Sequence, residues 1–487
     1  MNSQLFLSYL FLTAILWACS TEKRSHDIFD RLIYYQPEDY DDSLLVGTFP
    51  VYENRITRKG RKINLYVAVT PALVRDSLKE PIFMIEGGPG VGVSHQSYFY
   101  TEEDTNYRRY HDIVYVDARG TGKSSPLNCL AIQSKNSPQE YFEDPYRKSE
   151  LDACLETLRD SVDFNFYQTK YIVEDLEEVR RWLGYEKINL LAISFGGKVA
   201  LQYMDRYPGS IHSVVLHAPD APEIDYLSRR GRYSQRALDI LFENCRQDSS
   251  CHAHYPDLNQ EFEDLMKRFK KGTVQHELIA NDSTYLIDMS WPPVAAKIAS
   301  MLYNDFDYIQ IPYLVHAAYG ENYTPLLEAM NVTSTDTSYV FADGMWLSNI
   351  CSEDIARATT NYEVVERESF LGDYIYQTRK QACDHWPVEI VEASHYAPVV
   401  SDIKTLILSG NMDPTLPPET GAKIASSLSN CQHIVIPYMG HMFGDLTNLD
   451  CYDHYVVAFF EDREGQRSIS CFNEMKPQPF KTPAEVN

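Results

Sequence analysis

Lys187-Ile-Asn-Leu-Leu-Ala-Ile-Ser194-Phe-Gly-Gly197 decides the fold: an apolar β-type run leads into a serine, and a helix opened by two glycines follows. A serine held on so sharp a strand-to-helix turn is a nucleophile elbow. The residues two before and two after it must be small or they would collide, and here they are Ala192 and Gly196. Taken alone, the pattern arises often by chance, and a helix-capping serine would produce it too. The strand before and the helix after favour a nucleophile at Ser194.

Around the elbow, from about Lys62 to His217, short β-rich runs alternate with helical patterns, as parallel βαβ units covered on both faces require. The spacing predicts strands at Ile63 to Val69, Ile82 to Ile85, Ile113 to Val116, Ile188 to Ile193 and Val214 to Leu216. Ile172, Val173, Leu176, Val179, Trp182 and Leu183 recur at helical spacing, and Gly184 follows where a helix ends well. A second helix is predicted from Phe195 toward Arg206, with Pro208 to stop it. After Pro222 the texture becomes that of amphipathic helices without strands, as at Leu258, Phe262, Leu265, Met266 and Phe269. Sheet signals return at Thr405 to Leu408 and His433 to Ile436. The economical organisation is one mostly parallel α/β sheet domain in two parts, residues 31–221 and 398–487, interrupted by a helical cap at 222–397.

A serine hydroxyl is a poor nucleophile until a base takes its proton, so an orienting acid and a histidine should follow it in the chain. Leu406-Ile-Leu-Ser-Gly-Asn-Met-Asp413 places Asp413 in the loop just past one strand, and Ile434-Val-Ile-Pro-Tyr-Met-Gly-His441 places His441 just past the next. Both would then reach the carboxyl edge of the sheet, where sites of open α/β sheets gather. Asp220 is the rival acid, or else a capping residue. The charge that develops on a tetrahedral intermediate needs two backbone N–H donors. Phe195, next after the nucleophile, should supply one, and Gly88 of Glu86-Gly87-Gly88-Pro89-Gly90 the other. Two nucleotide-site fragments fail: Gly122-Lys123-Ser124 has Asp117 where a P-loop needs glycine, and the run from Gly88 meets Val93 where a dinucleotide fingerprint needs glycine.

Composition narrows the class. The 487 residues are 44% hydrophobic, enough for a large core and about three domain-sized units on length alone. A net charge of −25 without a compensating basic run disfavours nucleic acid and anionic membrane surfaces as partners. Thirty-five tyrosines speak for packed surfaces rather than a solvating acidic chain. Leu5 to Ala18 is too short an apolar stretch to span a bilayer and reads as the core of a signal peptide over residues 1–18. Its end, Leu16-Trp17-Ala18-Cys19-Ser20, resembles a bacterial lipobox with Cys19 as the acylated residue, followed by a tether at 19–30; a plain cleaved secretory signal is the alternative. Either places the mature chain outside the cytoplasm, where disulfides persist. Of ten cysteines, setting Cys19 aside leaves nine, so one thiol should be free, and none has metal-site spacing.

These residues resemble the prolyl aminopeptidase and tripeptidyl aminopeptidase family of α/β-hydrolases. The resemblance rests on Gly87-Gly88-Pro89-Gly90, Asp117-Ala-Arg119-Gly120-Thr-Gly122-Lys-Ser124, the Ser194 elbow, Gly410-Asn-Met-Asp413 and Gly440-His441. Cys351-Ser-Glu353-Asp354, Cys383-Asp-His-Trp386-Pro387, Cys451 and Cys471 look like the tripeptidyl branch. The resemblance implies an α/β-hydrolase fold, Ser194, Asp413 and His441 as a catalytic triad, and no metal or organic cofactor. It further implies a cap over the site and release of one to three N-terminal residues from peptides with a free N-terminus. Glu353 is the candidate to hold that terminal ammonium group. Implied pairs are Cys129 with Cys154, Cys245 with Cys251, Cys351 with Cys383 and Cys451 with Cys471, leaving Cys431 free. Glu86, Ala192 and Phe195 depart from the residues usual in the family and leave substrate preference open. The expectation is a serine exopeptidase of the bacterial cell envelope, lipid-anchored or secreted. A hydrolase of small esters or lactones, and a non-catalytic binding lipoprotein, are the alternatives.

Overall fold

The computed structural model describes residues 31–36, 43–75, 78–98, 106–280, 283–333, 341–357, 367–442, 444–463, 465 and 468–483. The expected signal peptide, Cys19 and the expected tether lie outside the described residues.

Eleven strands can be traced among the described residues: β1 (Ile33–Tyr35), β2 (Leu44–Tyr52), β3 (Lys62–Thr70), β4 (Ile82–Ile85), β5 (Ile113–Val116), β6 (Ile188–Ile193), β7 (Ile211–His217), β8 (Val274–Ala280), β9 (Ser283–Met289), β10 (Thr405–Gly410) and β11 (Cys431–Ile436). Nine form one sheet in the order β1-β2-β3-β5-β4-β6-β7-β10-β11. From β5 to β11 neighbouring strands run parallel, while β1, β2 and β3 add an antiparallel edge. This is the α/β-hydrolase fold, a mostly parallel central sheet flanked by helices. The helices that position the site are α1 (Thr169–Leu183), α2 (Phe195–Arg206), α3 (Arg230–Gln247), α4 (Leu258–Lys271), α5 (Trp291–Met301), α6 (Asp343–Glu353), α7 (Tyr374–Cys383) and α8 (Asp450–Phe460).

The central strands are buried along their whole length, as continuous apolar runs demand when helices cover both faces. Successive residues feed opposite cores: Leu190 and Ala192 pack with α1 and α2, whereas Leu191 packs toward Val456 of α8. Burying one such leucine contributes about 1.5–3 kcal/mol, so β6 is pinned in register on either side of the serine it delivers. Helix α1 ends at Gly184, whose φ of +86° is the left-handed conformation that closes a helix without penalty only in glycine.

Three elements depart from the sequence-based expectation. Strand β2 is interrupted in sequence by Gly47 and Pro50, but it sits near the sheet edge, and a side chain at Gly47 would meet Leu32 at 2.7 Å. Short β1 pairs with it. The region after Pro222 is not purely helical: β8 and β9 form a hairpin whose pattern is hard to read because much of β9 is exposed. That region otherwise encloses its own apolar cluster, including Leu241, Phe262, Leu265 and Ile298, beside the sheet domain. Disulfides join Cys129 to Cys154, Cys245 to Cys251, Cys351 to Cys383 and Cys451 to Cys471. Cys431 is a free thiol whose pKa burial pushes up to about 11. Among the described residues no helix is long and apolar enough to cross a membrane.

Candidate active site

Ser194 stands between β6 and α2 with φ 53° and ψ −120°, a conformation that costs a residue with a Cβ about 1–3 kcal/mol and persists only when its surroundings enforce it. They do so by hydrogen bonding and by close approach. The Ser194 N–H donates to the His217 carbonyl at 3.0 Å, and its own carbonyl accepts from the N–H groups of Gly197 and Asp220 at 2.8 and 2.9 Å. A Cβ at Gly196 would lie 2.4 Å from the Ile85 carbonyl oxygen, so the helix can start this close to β4 only with glycine there.

His441 joins the serine to an acid. Its Nε2 lies 2.9 Å from Ser194 Oγ and its Nδ1 lies 2.8 Å from Asp413 Oδ2. The other carboxylate oxygen of Asp413 accepts from the Thr415 and Leu416 N–H groups at 2.7 and 2.8 Å. Burial opposes a charge on Asp413, but the adjacent imidazole and those two donors outweigh it and hold the carboxyl below its ordinary value. An ionised Asp413 puts the proton on Nδ1, which leaves Nε2 to accept from the serine hydroxyl. Behind the imidazole, His217 Nε2 contacts the His441 carbonyl at 3.2 Å.

Gly87, Gly88 and Phe195 line the same cavity as Ser194. The Gly87 N–H is already taken by the Glu86 carboxylate at 2.8 Å, so Gly88 is the better donor from this loop. The loop is braced from beneath by the Asp117–Ser124 turn: Asp117 accepts from the Ser94 N–H and hydroxyl at 2.8 and 2.9 Å and from the Lys123 N–H at 2.8 Å. Arg119, fully buried, forks onto Asp175 at 2.7 and 2.8 Å and ties the turn to α1. This stretch is scaffolding for the site.

Two expected acids lie elsewhere in the network. Glu353 is not in the cavity; its carboxylate accepts from the Thr169 N–H and hydroxyl, both at 2.7 Å, with His395 at 3.4 Å and Lys198 at 3.9 Å. It is fully buried with its oxygens engaged internally, so the expectation that it holds a substrate ammonium is corrected: Glu353 braces α6 against α1. Asp220 reaches the cavity wall but turns to Lys198 at 3.1 Å rather than to His441. Burial works against a charge on Lys198, but Asp220, Asp354 and Glu353 around it hold its pKa above the ordinary value.

The cavity, about 720 Å³, lies between the sheet rim and the inserted helices. Sequence reasoning missed several of its walls: Tyr303, which meets the His441 ring edge-on at 5.1 Å, Trp346, Arg230 and Arg379. Solitary residues on helices or loops carry no spacing signal that could have marked them. Among the described residues no group of three or more His, Cys, Asp or Glu side chains is arranged to hold a metal ion.

Comparison with known proteins adds two matches: residues 80–265 to the alpha/beta hydrolase fold family and residues 368–471 to the family described as TAP-like protein. The chain is 26% identical over 256 residues to the protein YuaR of Escherichia coli, covering 48% of this chain and 50% of that one, so it spans about half of that relative's length. It is 21% identical over 416 residues to a tripeptidyl aminopeptidase of Streptomyces lividans, covering 77% and 73% respectively. The serine protease Hip1 of Mycobacterium tuberculosis is 20% identical over 397 residues, 72% of each chain.

Proposed function

We infer the activity of this chain from its likeness to the alpha/beta hydrolase fold family over residues 80–265 and to the TAP-like family over residues 368–471. It acts as an exported serine exopeptidase that removes short N-terminal units from peptides. The observation that carries this reading is His441, within hydrogen-bond distance of both Ser194 Oγ and Asp413 at the mouth of one cavity. Ser194 Oγ attacks the scissile carbonyl carbon while its proton passes to His441 Nε2, and Asp413 stabilises the imidazolium. The oxyanion takes the N–H groups of Phe195 and Gly88. The C–N bond then breaks, the leaving amine takes the proton from His441, and water attacks the acyl-enzyme by the same route in reverse.

With Glu353 engaged elsewhere, no carboxylate is assigned to the substrate's ammonium group: Glu86 lines the cavity, but its carboxylate already accepts from the Gly87 N–H and from the Gln96 amide. The cap region, residues 222–397, excludes folded proteins from the cavity. Four disulfides support an oxidising compartment, and export through residues 1–18 with lipid on Cys19 supplies it. The test is fluorophosphonate labelling followed by a panel of free peptides, N-acetylated peptides and chromogenic esters. Labelling at Ser194 with turnover of free-amine peptides is expected. Absence of an adduct at Ser194 would overturn the serine mechanism, and turnover of blocked peptides or esters alone would overturn the exopeptidase reading in favour of a small-ester hydrolase.

A further inference from the structure

The protein is strongly acidic, yet the charged side chains that residues 222–397 lend to the cavity are both arginines, Arg230 of α3 and Arg379 of α7. Arg230 is 8% exposed, and its Nη1 is buried without a hydrogen-bond partner. Its guanidinium lies 4.8 Å from the centre of the Tyr303 ring, the ring whose other neighbour is His441. Arg379 is supported by the Trp346 face at 5.3 Å and by the Ile375 carbonyl at 3.0 Å. Among the described residues neither arginine makes an ion pair, whereas the buried cations Lys198, Arg119, Arg55 and Arg180 are each paired with a carboxylate. A guanidinium removed from water and left without an anion is costly, and a cavity that retains one is built to receive a carboxylate. A face-on aromatic ring fixes the guanidinium plane and leaves its fork free for two parallel N–H···O bonds.

We propose that Arg230 is a specificity residue that binds a carboxylate of the substrate one ring's width from His441, so that the enzyme selects peptides carrying a negative charge close to the scissile bond. The charge comes either from an acidic side chain or from the free C-terminus of a short peptide. The proposal rests on the peptidase reading for the identity of its substrates, but its test does not need turnover.

In the Ser194→Ala protein, binding of matched free-amine tripeptides is measured by calorimetry, with Glu against Gln at each position and C-terminal acid against amide. One carboxylate-bearing partner should bind about tenfold or more tighter, as charge-assisted pairing with a buried guanidinium gives. The Glu/Gln arm and the acid/amide arm distinguish the two sources. Adding Arg230→Gln should bring the preference close to one, whereas Arg230→Lys should keep part of it. Equal binding of charged and neutral partners by Ser194→Ala alone would overturn the proposal without requiring any Arg230 variant to fold, as would a preference that survives Arg230→Gln. A preference in binding with no peptide turnover by the wild-type protein would leave Arg230 its role and remove the peptidase reading.

Discussion

Asp413 and Glu353 make an instructive pair. Both carboxylates are fully buried, both accept two short hydrogen bonds from a neighbouring turn or helix start, and both are held below their ordinary pKa although burial pushes the other way. Yet Asp413 belongs to a chain of contacts that ends on a hydroxyl in the cavity, whereas Glu353 belongs to a cluster that closes on Lys198, Thr169 and His395. Burial, pairing and acidity therefore do not tell a catalytic carboxylate from a structural one. What separates them is whether the last polar atom of the network faces protein or empty space.

The sharpest way to break that comparison is to remove function from one network and stability from the other. Ser194→Ala and Asp413→Asn should each lower kcat by about four orders of magnitude, the second because an amide favours the wrong imidazole tautomer, with little change in the unfolding midpoint. Peptide turnover and thermal melts check this together. An Asp413→Asn protein with near-native turnover would hand the acid's role to another residue. Lys198→Met should do the reverse. It strands Asp220, Asp354 and Glu353 in the interior, and breaking such a cluster costs about 3–5 kcal/mol, measured by urea unfolding. The rate of fluorophosphonate labelling at a temperature where the variant is folded should change only a few-fold.

How much of this was legible follows from where each signal lives. The elbow, Asp413 and His441 were readable because each follows an apolar strand at a fixed short distance, and a parallel sheet brings all such loops to one edge. The central strands were readable because both faces are buried. Strand β2 was not, since glycine and proline are tolerated near an edge, and the β8–β9 hairpin was not, since an exposed strand need not be apolar. Glu353 was misassigned because its neighbourhood in sequence, between Cys351 and Asp354, says nothing of Thr169, which lies 184 positions away and takes both its oxygens. Arg230 and Tyr303 were invisible for the same reason: a cavity wall assembled from single residues of separate elements has no period.

Glu353→Gln sharpens the comparison at smaller amplitude. The amide can still accept one bond from Thr169, but it brings a donor to a site that supplied donors, and it removes a counter-charge from Lys198. A loss of about 1–3 kcal/mol in unfolding free energy is expected, with KM for free-amine peptides unchanged. A raised KM with unaltered stability would restore the ammonium-anchor role to Glu353.

A test by pH lies behind the triad. His217, the last residue of β7, is buried behind the triad with Nε2 on the His441 carbonyl and Nδ1 3.3 Å from the Tyr452 hydroxyl. Burial and the neighbouring His441 lower its pKa from the ordinary 6.5 to about 4, so the folded protein keeps it neutral. Between those two values the unfolded chain binds a proton that the folded chain refuses, so stability falls as the pH falls through this window and levels off below it. The slope from this one residue is about 1.4 kcal/mol per pH unit. Urea unfolding from pH 7 down to pH 4 should show that decline, and His217→Gln, which keeps a donor for the His441 carbonyl but cannot titrate, should flatten it. An unchanged slope in His217→Gln would mean that the proton is taken up elsewhere and that His217 is not neutral in the fold, which would also deprive the His441 carbonyl of the neutral donor assigned to it.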